Sequence, residues 1–297
     1  MKDIPVLTAS GRSLPAAWED SLLKLREHGA DIATQYDAEG DPPSKDSTMM
    51  IVVEDPLSEP MIHMDMPGGL EDLQEYVMEV CDGIKDHWIR DPDNPDDKRW
   101  EYTYHGRLFD YTAYERVVVT TGHEIIRSTH DQIENVCQQL SKCLYTRRAQ
   151  AITWRVWEDN TCYDPPCLQS IWCRILPADE LFLNMNVRFR SRDAYKAAFM
   201  NMFALVNMQK KIAARISELI GQEVKLGRYV DFSDSYHIYG KDLAEFEARF
   251  LGALERRTFE QRTMRYVDVK DIMEEAVPVI LDKVKKVDAC NVPNATI

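Results

Sequence analysis

The sequence lacks the long apolar segments that mark membrane and secreted proteins. None of its apolar runs approaches the roughly 20 residues that a helix needs to cross a bilayer. The N-terminus, Met1 to Pro5, also lacks the apolar core of a signal peptide. We therefore expect a cytoplasmic protein that does not bind a membrane.

Positive charge is also scarce in this chain. It has 36 Lys and Arg residues against 50 Asp and Glu residues, which gives a net charge of −14. An acidic surface repels nucleic acids and anionic membranes, so we expect neither of them as a partner. A small anionic ligand is compatible with this charge, because a few arginines can dominate the potential of one pocket.

The seven cysteines of the chain do not form the patterns of a disulfide framework or a zinc site. Their number is odd, no Cys-x-x-Cys pair is present, and no His-rich stretch accompanies them. We expect no metal. Most of these cysteines are predicted to be small buried hydrophobic residues.

The hydrophobic pattern predicts a single α+β domain over residues 1–297, with a long central helix. Helices are predicted at 16–28, 70–84, 131–144, 193–220, 242–254 and 267–287, and strands at 49–53, 117–121, 149–157, 168–175, 181–190 and 225–232. Residues 37–47 and 91–98 are predicted to be loops, and the last ten residues to be irregular. The helix at 193–220 carries enough apolar residues to be central and largely buried.

The stretch Asp164-Pro165-Pro166-Cys167 places a cysteine directly after two prolines. The prolines fix the backbone, and nearby arginines favour a lowered thiol pKa and a reactive thiolate. A buried structural cysteine after a proline turn is the alternative. Arg147, Arg148 and Arg190 have side chains suited to bidentate phosphate binding, although each alone could serve only solubility.

Taken together, these residues resemble the thymidylate synthase family over about residues 145–242. The resemblance rests on motifs in the family's order: Arg147-Arg148, Trp154, Pro165-Pro166-Cys167, Arg190-Ser191-x-Asp193 followed by Asn201, and His237-Ile238-Tyr239. Asp234 stands one residue further from His237 than the family pattern asks. Tyr104-His105-Gly106-Arg107 resembles the family's Tyr-Gly…Arg element only weakly.

The resemblance implies a mixed β-sheet packed with helices, and a substrate that is a pyrimidine nucleoside monophosphate. Cys167 would attack C6 of the base, and C5 would take a methylene group from 5,10-methylenetetrahydrofolate. Tyr104 would take part in catalysis, as would a glutamate that relays protons. Glu75 is the candidate for that glutamate, with Glu79 as the competitor and a solvated helix-face residue as the alternative.

The resemblance also implies roles for the binding residues. Arg190 and Ser191 would hold the phosphate together with Arg147 and Arg148, which in the family reach across from the partner subunit of a homodimer. Asn201 would recognise the pyrimidine edge, where a carboxamide matches O4 and N3–H of uracil. The sugar hydroxyl would be bound by His237 and Tyr239, and the pterin ring of the folate by Asp193. Alternatives are a helix-capping or core role for Asn201 and a structural pair for His237 and Tyr239.

The sequence departs from the family at several points. Leu168 replaces the histidine that usually follows the cysteine, and Lys196 to Met200 replaces a segment that helps to form the folate side. The early phosphate-binding motif is absent, and Lys241-Asp242 replaces the family's Asn-His. Such divergence is similar to the archaeal-type enzymes and to hydroxymethylases of phage and antibiotic pathways.

Three functions therefore remain open at this point. The first is methylation of dUMP to dTMP. The second is hydroxymethylation of dUMP, dCMP or CMP, in which water captures the exocyclic methylene group. The third is an inactive nucleotide-binding protein, against which the retained thiol of Cys167 argues, because binding alone does not need it.

Overall fold

The computed structural model describes residues 3–91, 94, 96–120, 122–176 and 179–287. The strands are β1 (Val6–Gly11), β2 (Ala30–Ile32), β3 (Ser44–Val53), β4 (Ile62–His63), β5 (Tyr111–Val119), β6 (Gly122–His130), β7 (Gln150–Ile152), β8 (Leu168–Ile175), β9 (Leu181–Asp193), β10 (Val224–Ile238) and β11 (Thr263–Met264). The helices are α1 (Leu14–His28), α2 (Leu70–Asp82), α3 (Tyr104–Phe109), α4 (Gln132–Lys142), α5 (Val156–Asp159), α6 (Ala198–Ile220), α7 (Leu243–Phe246), α8 (Gly252–Arg256) and α9 (Tyr266–Lys286). Short 3₁₀ turns lie at Asp86–Trp88 and Gly240–Asp242, and a π-helical turn at Glu247–Leu251 joins α7 to α8.

Seven strands form one mixed sheet in the order β1-β3-β10-β9-β8-β7, with β2 paired to β3. The pairs β1/β3 and β9/β10 are parallel, and the remaining neighbours are antiparallel. Two small ribbons, β4/β11 and β5/β6, lie outside this sheet. The prediction of an α+β fold with a mixed sheet is confirmed.

Helix α6 packs on the sheet and forms the centre of the hydrophobic core, as predicted. Phe199, Met202 and Phe203 are buried along it, and Gly221 ends it at φ 70°, a backbone conformation that glycine adopts without strain. The prediction that α6 begins at residue 193 is wrong, because Asp193 ends β9. Its carboxylate accepts hydrogen bonds from the backbone N–H groups that follow, so the chain turns before the helix starts.

The opposite face of the sheet is not covered by any helix of the described residues. We call it the open face. It presents apolar and polar side chains that are exposed or half-buried: Met50, Ile152, Ser170, Trp172, Phe182, Asn186, Arg188 and Phe232. The polar side of the strand predicted at 181–190 contributes to this face, which confirms its alternating pattern.

The sequence pattern places two strands correctly but predicts them too short. Strand β3 begins at Ser44, so the last four residues of the predicted 37–47 loop are sheet. Strand β10 continues to Ile238, six residues beyond the predicted end at residue 232. In both regions small and polar residues hide the alternation, while pairing between β3 and β10 supplies the backbone hydrogen bonds. These extensions matter for function because they carry Asp46, Ser235 and His237 into the sheet.

The predicted strand at 149–157 is also wrong over its second half. Only β7 pairs with the sheet, and the chain then turns into the short helix α5. The cause is Asp159, whose carboxylate accepts a hydrogen bond from Arg155 N at 2.6 Å and is held by the buried Arg107. A long-range ion pair of this kind leaves no periodic signal in the sequence.

Several smaller expectations can be compared with the structure. The strand predicted at 117–121 is part of the β5/β6 hairpin, as far as it is described. Cys81, Cys137 and Cys173 are buried, as expected for small hydrophobic residues. The loop predicted at 91–98 lies partly outside the described residues, and the last ten residues, with Cys290, lie wholly outside them.

Candidate active site

The motif residues meet at one end of the sheet. Strand β8 starts directly after Cys167, whose carbonyl oxygen accepts a hydrogen bond from Arg190 N at 2.9 Å. The parallel pairing of β9 with β10 sets Ser191 beside Ser235 and Asp193 beside His237. The carboxyl ends of these two parallel strands therefore lie together, next to the start of β8.

A cavity of about 480 Å³ opens at this end of the sheet. Eight of the residues predicted from the sequence line it: Tyr104, Cys167, Arg190, Ser191, Asp193, Asn201, His237 and Tyr239. Residues that the sequence did not point to line it as well, among them Tyr36, Lys98, Arg99, Trp100, Tyr102, Tyr163, Arg192 and Lys241. Arg192 lies near the end of β9, and Lys241 lies in the 3₁₀ turn after β10. The others come from loops and from the segment before α3, where no periodic pattern marks a residue as part of a site.

The expected lowering of the Cys167 pKa is wrong for the ligand-free protein. Burial raises the pKa of this thiol, and the nearby Arg190 only partly opposes the effect. The Arg190 guanidinium lies 3.7 Å from the carboxylate of Asp164, which offsets its charge. It also donates hydrogen bonds to the carbonyl oxygens of Pro165 and Pro166, so it holds the loop that carries the cysteine.

Arg192, between the two predicted residues Ser191 and Asp193, forms a buried ion pair beneath the cavity. Its guanidinium donates to both carboxylate oxygens of Asp231, which also accepts a hydrogen bond from the Tyr229 hydroxyl at 2.9 Å. Because its charge is neutralised there, Arg192 is a support for the end of β9. An arginine in a ligand-binding motif can thus have a structural role that its type does not reveal.

Asn201 is held by a residue that the sequence analysis missed. Its Nδ2 donates a hydrogen bond to the hydroxyl of the half-buried Tyr76 at 2.6 Å. One amide hydrogen and the carbonyl oxygen Oδ1 remain to bind a ligand. Tyr76 directly follows Glu75 in α2, and only the packing of α2 against α6 shows that it reaches Asn201.

Glu75 does not line the cavity of Cys167. It lies in a second cavity of about 490 Å³, where Lys85 and Lys283 each contact its carboxylate at 2.8 Å. Although burial acts against them, these two lysines lower the pKa of Glu75. Glu79 also contacts Lys85 at 2.8 Å, but burial dominates there and raises its pKa. The two cavities share Trp100, Tyr102, Tyr104 and Asn201 in their walls.

Arg147 and Arg148 are exposed just before β7 and do not line either cavity. This position leaves their expected contact with a partner subunit as a prediction. Tyr104 is buried, and its hydroxyl accepts a hydrogen bond from Leu168 N at 3.3 Å. Burial holds its pKa well above the usual value, so Tyr104 keeps a proton that it can donate.

Two titratable groups at the strand ends have pKa values shifted by burial. Burial lowers the pKa of His237 to about 4, so its ring is neutral at physiological pH. Burial raises the pKa of Asp193 to about 6, while backbone hydrogen bonds from Lys196 and Tyr195 oppose the shift. Among the described residues no cluster of His, Cys, Asp and Glu could hold a metal ion. In the same part of the chain, no helix has the length and apolar character that crossing a membrane requires.

The fold and the cavity define an enzyme with a cysteine in a pocket lined by cationic and amide groups. A family model described as thymidylate synthase matches residues 70–282. The chain belongs to the thymidylate synthase family, whose members are one-carbon transferases.

Two relatives and one solved structure illustrate the similarity. Proteins named "Putative thymidylate synthase" from Methanococcoides burtonii and Methanosarcina barkeri are 27% and 26% identical to this chain. The alignments cover 80% and 78% of this chain and 91% and 88% of the relatives. The thermostable thymidylate synthase A from Bacillus subtilis has a similar fold, with a TM-score of 0.56 at 15% identity over 80% of this chain and 84% of that one.

The raised pKa of Cys167 predicts slow alkylation of the free protein at neutral pH. Because the thiolate is the reactive form, the rate of iodoacetamide labelling at Cys167 should keep rising with pH beyond the usual thiol pKa of about 8.5. Peptide mass spectrometry after timed labelling measures this rate, and the half-buried Cys143 provides an internal comparison. A labelling rate at Cys167 that no longer rises with pH above pH 7 would contradict the raised pKa of this thiol.

Proposed function

We propose that this protein transfers a one-carbon unit from 5,10-methylenetetrahydrofolate to C5 of dUMP and reduces it to the methyl group of dTMP. The observation that carries the proposal is that Cys167 and Asn201 line the same cavity. The Cys167 thiol is the nucleophile in this proposal, and the Asn201 amide is the group that can orient a pyrimidine. Family membership supports the same type of chemistry.

The base is oriented by Asn201 in this proposal. With one amide hydrogen held by Tyr76, its other Nδ2 hydrogen donates to O4 of uracil, and Oδ1 accepts from N3–H. Cytosine presents an amino group and an unprotonated N3 at these positions, which this arrangement does not match. The cavity therefore favours dUMP over dCMP or CMP.

The phosphate is bound by Arg190 and Ser191 from β9, together with Arg147 and Arg148 of a partner subunit. The Arg190 guanidinium keeps N–H groups for a phosphate, because the carbonyl oxygens of Pro165 and Pro166 accept hydrogen bonds from only some of its N–H groups. The open face supports a homodimer. Its exposed apolar side chains, among them Met50 and Phe182, would be buried against a second copy of the chain.

The chemistry begins at the Cys167 sulfur. The thiolate bonds to C6 of uracil, and the electrons of the C5=C6 bond make C5 nucleophilic. C5 attacks the methylene carbon and displaces one of the two folate nitrogens that hold it. Loss of the C5 proton then breaks the bond from this carbon to the second nitrogen and leaves an exocyclic methylene group on the base. The thiolate leaves C6 as a hydride from the tetrahydrofolate ring reduces the exocyclic methylene group, so that the products are dTMP and dihydrofolate. Tyr104, which keeps its proton, is placed in the cavity wall to take part in proton transfer.

Folate is bound in the second cavity in this proposal. The ring centroids of Trp88 and Trp100 lie 5.1 Å apart there, and the two side chains offer aromatic surface for a flat ring. The shared wall at Tyr102 and Tyr104 brings the two cavities together. Asp193 contacts the pterin from the side of the first cavity. Glu75, which is held by Lys85 and Lys283, is assigned to proton relay.

The direct test uses dUMP carrying tritium at C5 together with methylenetetrahydrofolate. Methylation predicts tritium release matched by dihydrofolate formation, and a Cys167→Ser control should lose on the order of a thousandfold or more in rate. Release without dihydrofolate would show that water completes the reaction, and the hydroxymethylase function would replace ours. Release from neither dUMP nor the cytosine nucleotides would leave a nucleotide-binding protein without this activity.

Subunit mixing tests the contribution of Arg147 and Arg148. Cys167→Ser and Arg148→Ala should each be nearly inactive, but mixed dimers regain one intact site in each heterodimer. Random mixing should then restore about a quarter of the wild-type activity, because half of the dimers have one of two sites complete. Two samples of the same variant, mixed in the same way, give the control. If the mixture stays inactive, the arginines do not act across subunits.

A further inference from the structure

His237 lines the first cavity and has a buried ring nitrogen, Nε2. The residue lines the cavity and is 5% exposed, and within the described part of the chain no group hydrogen-bonds to its Nε2. An unpaired buried polar atom costs free energy unless a ligand satisfies it. The chemistry of that ligand depends on whether Nε2 is a donor or an acceptor.

The other ring nitrogen decides this question. Nδ1 lies 3.2 Å from the hydroxyl oxygen of Ser235, and that oxygen lies 2.7 Å from Oδ2 of Asp46. An ionised carboxylate can only accept, so the single hydroxyl proton of Ser235 is donated to Asp46. The hydroxyl oxygen can then only accept from the ring, which places the histidine proton on Nδ1 and leaves Nε2 as an acceptor.

We propose that Asp46 and Ser235 are positioning residues that fix His237 in this tautomer, so that Nε2 accepts a hydrogen bond from the sugar hydroxyl of the substrate. The tautomer is a property of the free protein, and the contact with a sugar rests on the proposed function. In dUMP the only sugar hydroxyl is the one at the 3′ carbon, which can donate a hydrogen bond to Nε2.

The fold explains how the three residues meet. Ser235 and His237 are two residues apart on β10 and therefore share one face of the strand. Asp46 is the direct cross-strand partner of His237 on β3. Between Ser233 and Tyr236 the β3/β10 register shifts by one extra residue, a β-bulge that re-aims the side chains around it.

The charges around the three residues agree with this arrangement. His237 is neutral at physiological pH because burial lowers its pKa to about 4, and Asp46 is mostly ionised there although burial raises its pKa to about 6. Lys45, the neighbour of Asp46, pairs instead with Asp31 at 2.7 Å. No charged side chain of the described residues forms an ion pair with Asp46. Among these residues no lysine or arginine therefore competes with Ser235 for the Asp46 carboxylate.

The arrangement also accounts for the misplaced aspartate of the sequence motif. Asp234, one residue further from the histidine than the family pattern asks, pairs with Arg188 at 3.0 Å and has a side chain that is 43% exposed. It therefore points away from His237. The carboxylate behind the histidine comes from Asp46 on another strand, and the bulge accommodates the displaced residue.

The tautomer can be measured without any ligand by NMR of protein labelled with ¹⁵N-histidine. Wild-type His237, identified by its loss in His237→Gln, should show a protonated Nδ1 and an unprotonated Nε2. Asp46→Ala and Ser235→Ala should shift the population towards protonated Nε2, Ser235→Thr should restore the wild-type pattern, and Asp234→Ala should not change it. A wild-type His237 protonated on Nε2, or a tautomer unaffected by Asp46→Ala, would overturn the proposal.

The contact with the sugar is tested by calorimetric binding of dUMP and of the analogue that lacks the 3′ hydroxyl, 2′,3′-dideoxyuridine 5′-monophosphate. Wild-type protein and Asp234→Ala should bind dUMP about tenfold more tightly than the analogue. In Ser235→Ala and Asp46→Ala this ratio should fall towards one, and Ser235→Thr should recover it. Equal wild-type affinities would overturn the sugar contact while the proposed function stands. If neither nucleotide binds although the tautomer is as expected, the proposed function itself fails.

Discussion

The parallel pairing of β9 with β10 is the constraint on which the site depends. It fixes Ser191 beside Ser235 and Asp193 beside His237, over 11 paired positions of the two strands. Residues more than 40 positions apart in the chain thereby share one cavity edge. Antiparallel pairing of β8 with β9 adds Cys167 at the same end. A slip of one residue in either pairing would turn these side chains to the opposite face of the sheet.

Three polar residues that line the cavity are each supported by a partner behind them. Asp231 neutralises Arg192, Tyr76 holds Asn201, and Asp46 acts on His237 through Ser235. Burial makes such partners necessary, because leaving a polar group unpaired in the interior costs more free energy than a typical hydrogen bond contributes to stability. The same burial raises the pKa of Cys167, so the ligand-free protein keeps this thiol in the less reactive protonated form.

The sequence predicts the residues that line the cavity better than the residues that support them from behind. The sequence predicts β8 with its observed ends, the alternation of β9 and the central position of α6. The period of two in β9 and the long apolar run in α6 are visible in the residues themselves. Tyr76 and Asp46 were missed because each acts across a tertiary contact with an element distant in the chain. The bulge in β10 was hidden for the same reason, since only pairing with β3 reveals an extra residue.

A covalent bond between Cys167 and the substrate base is the central claim of this account. The most direct measurement is the intact mass of the protein after incubation with 5-fluoro-dUMP and methylenetetrahydrofolate, followed by peptide mapping. The normal reaction loses a proton from C5, and fluorine in its place cannot be removed in this way. The reaction should therefore stop with nucleotide and folate both attached to the protein through Cys167. Absence of any covalent adduct, or an adduct that maps to another cysteine, would contradict the account.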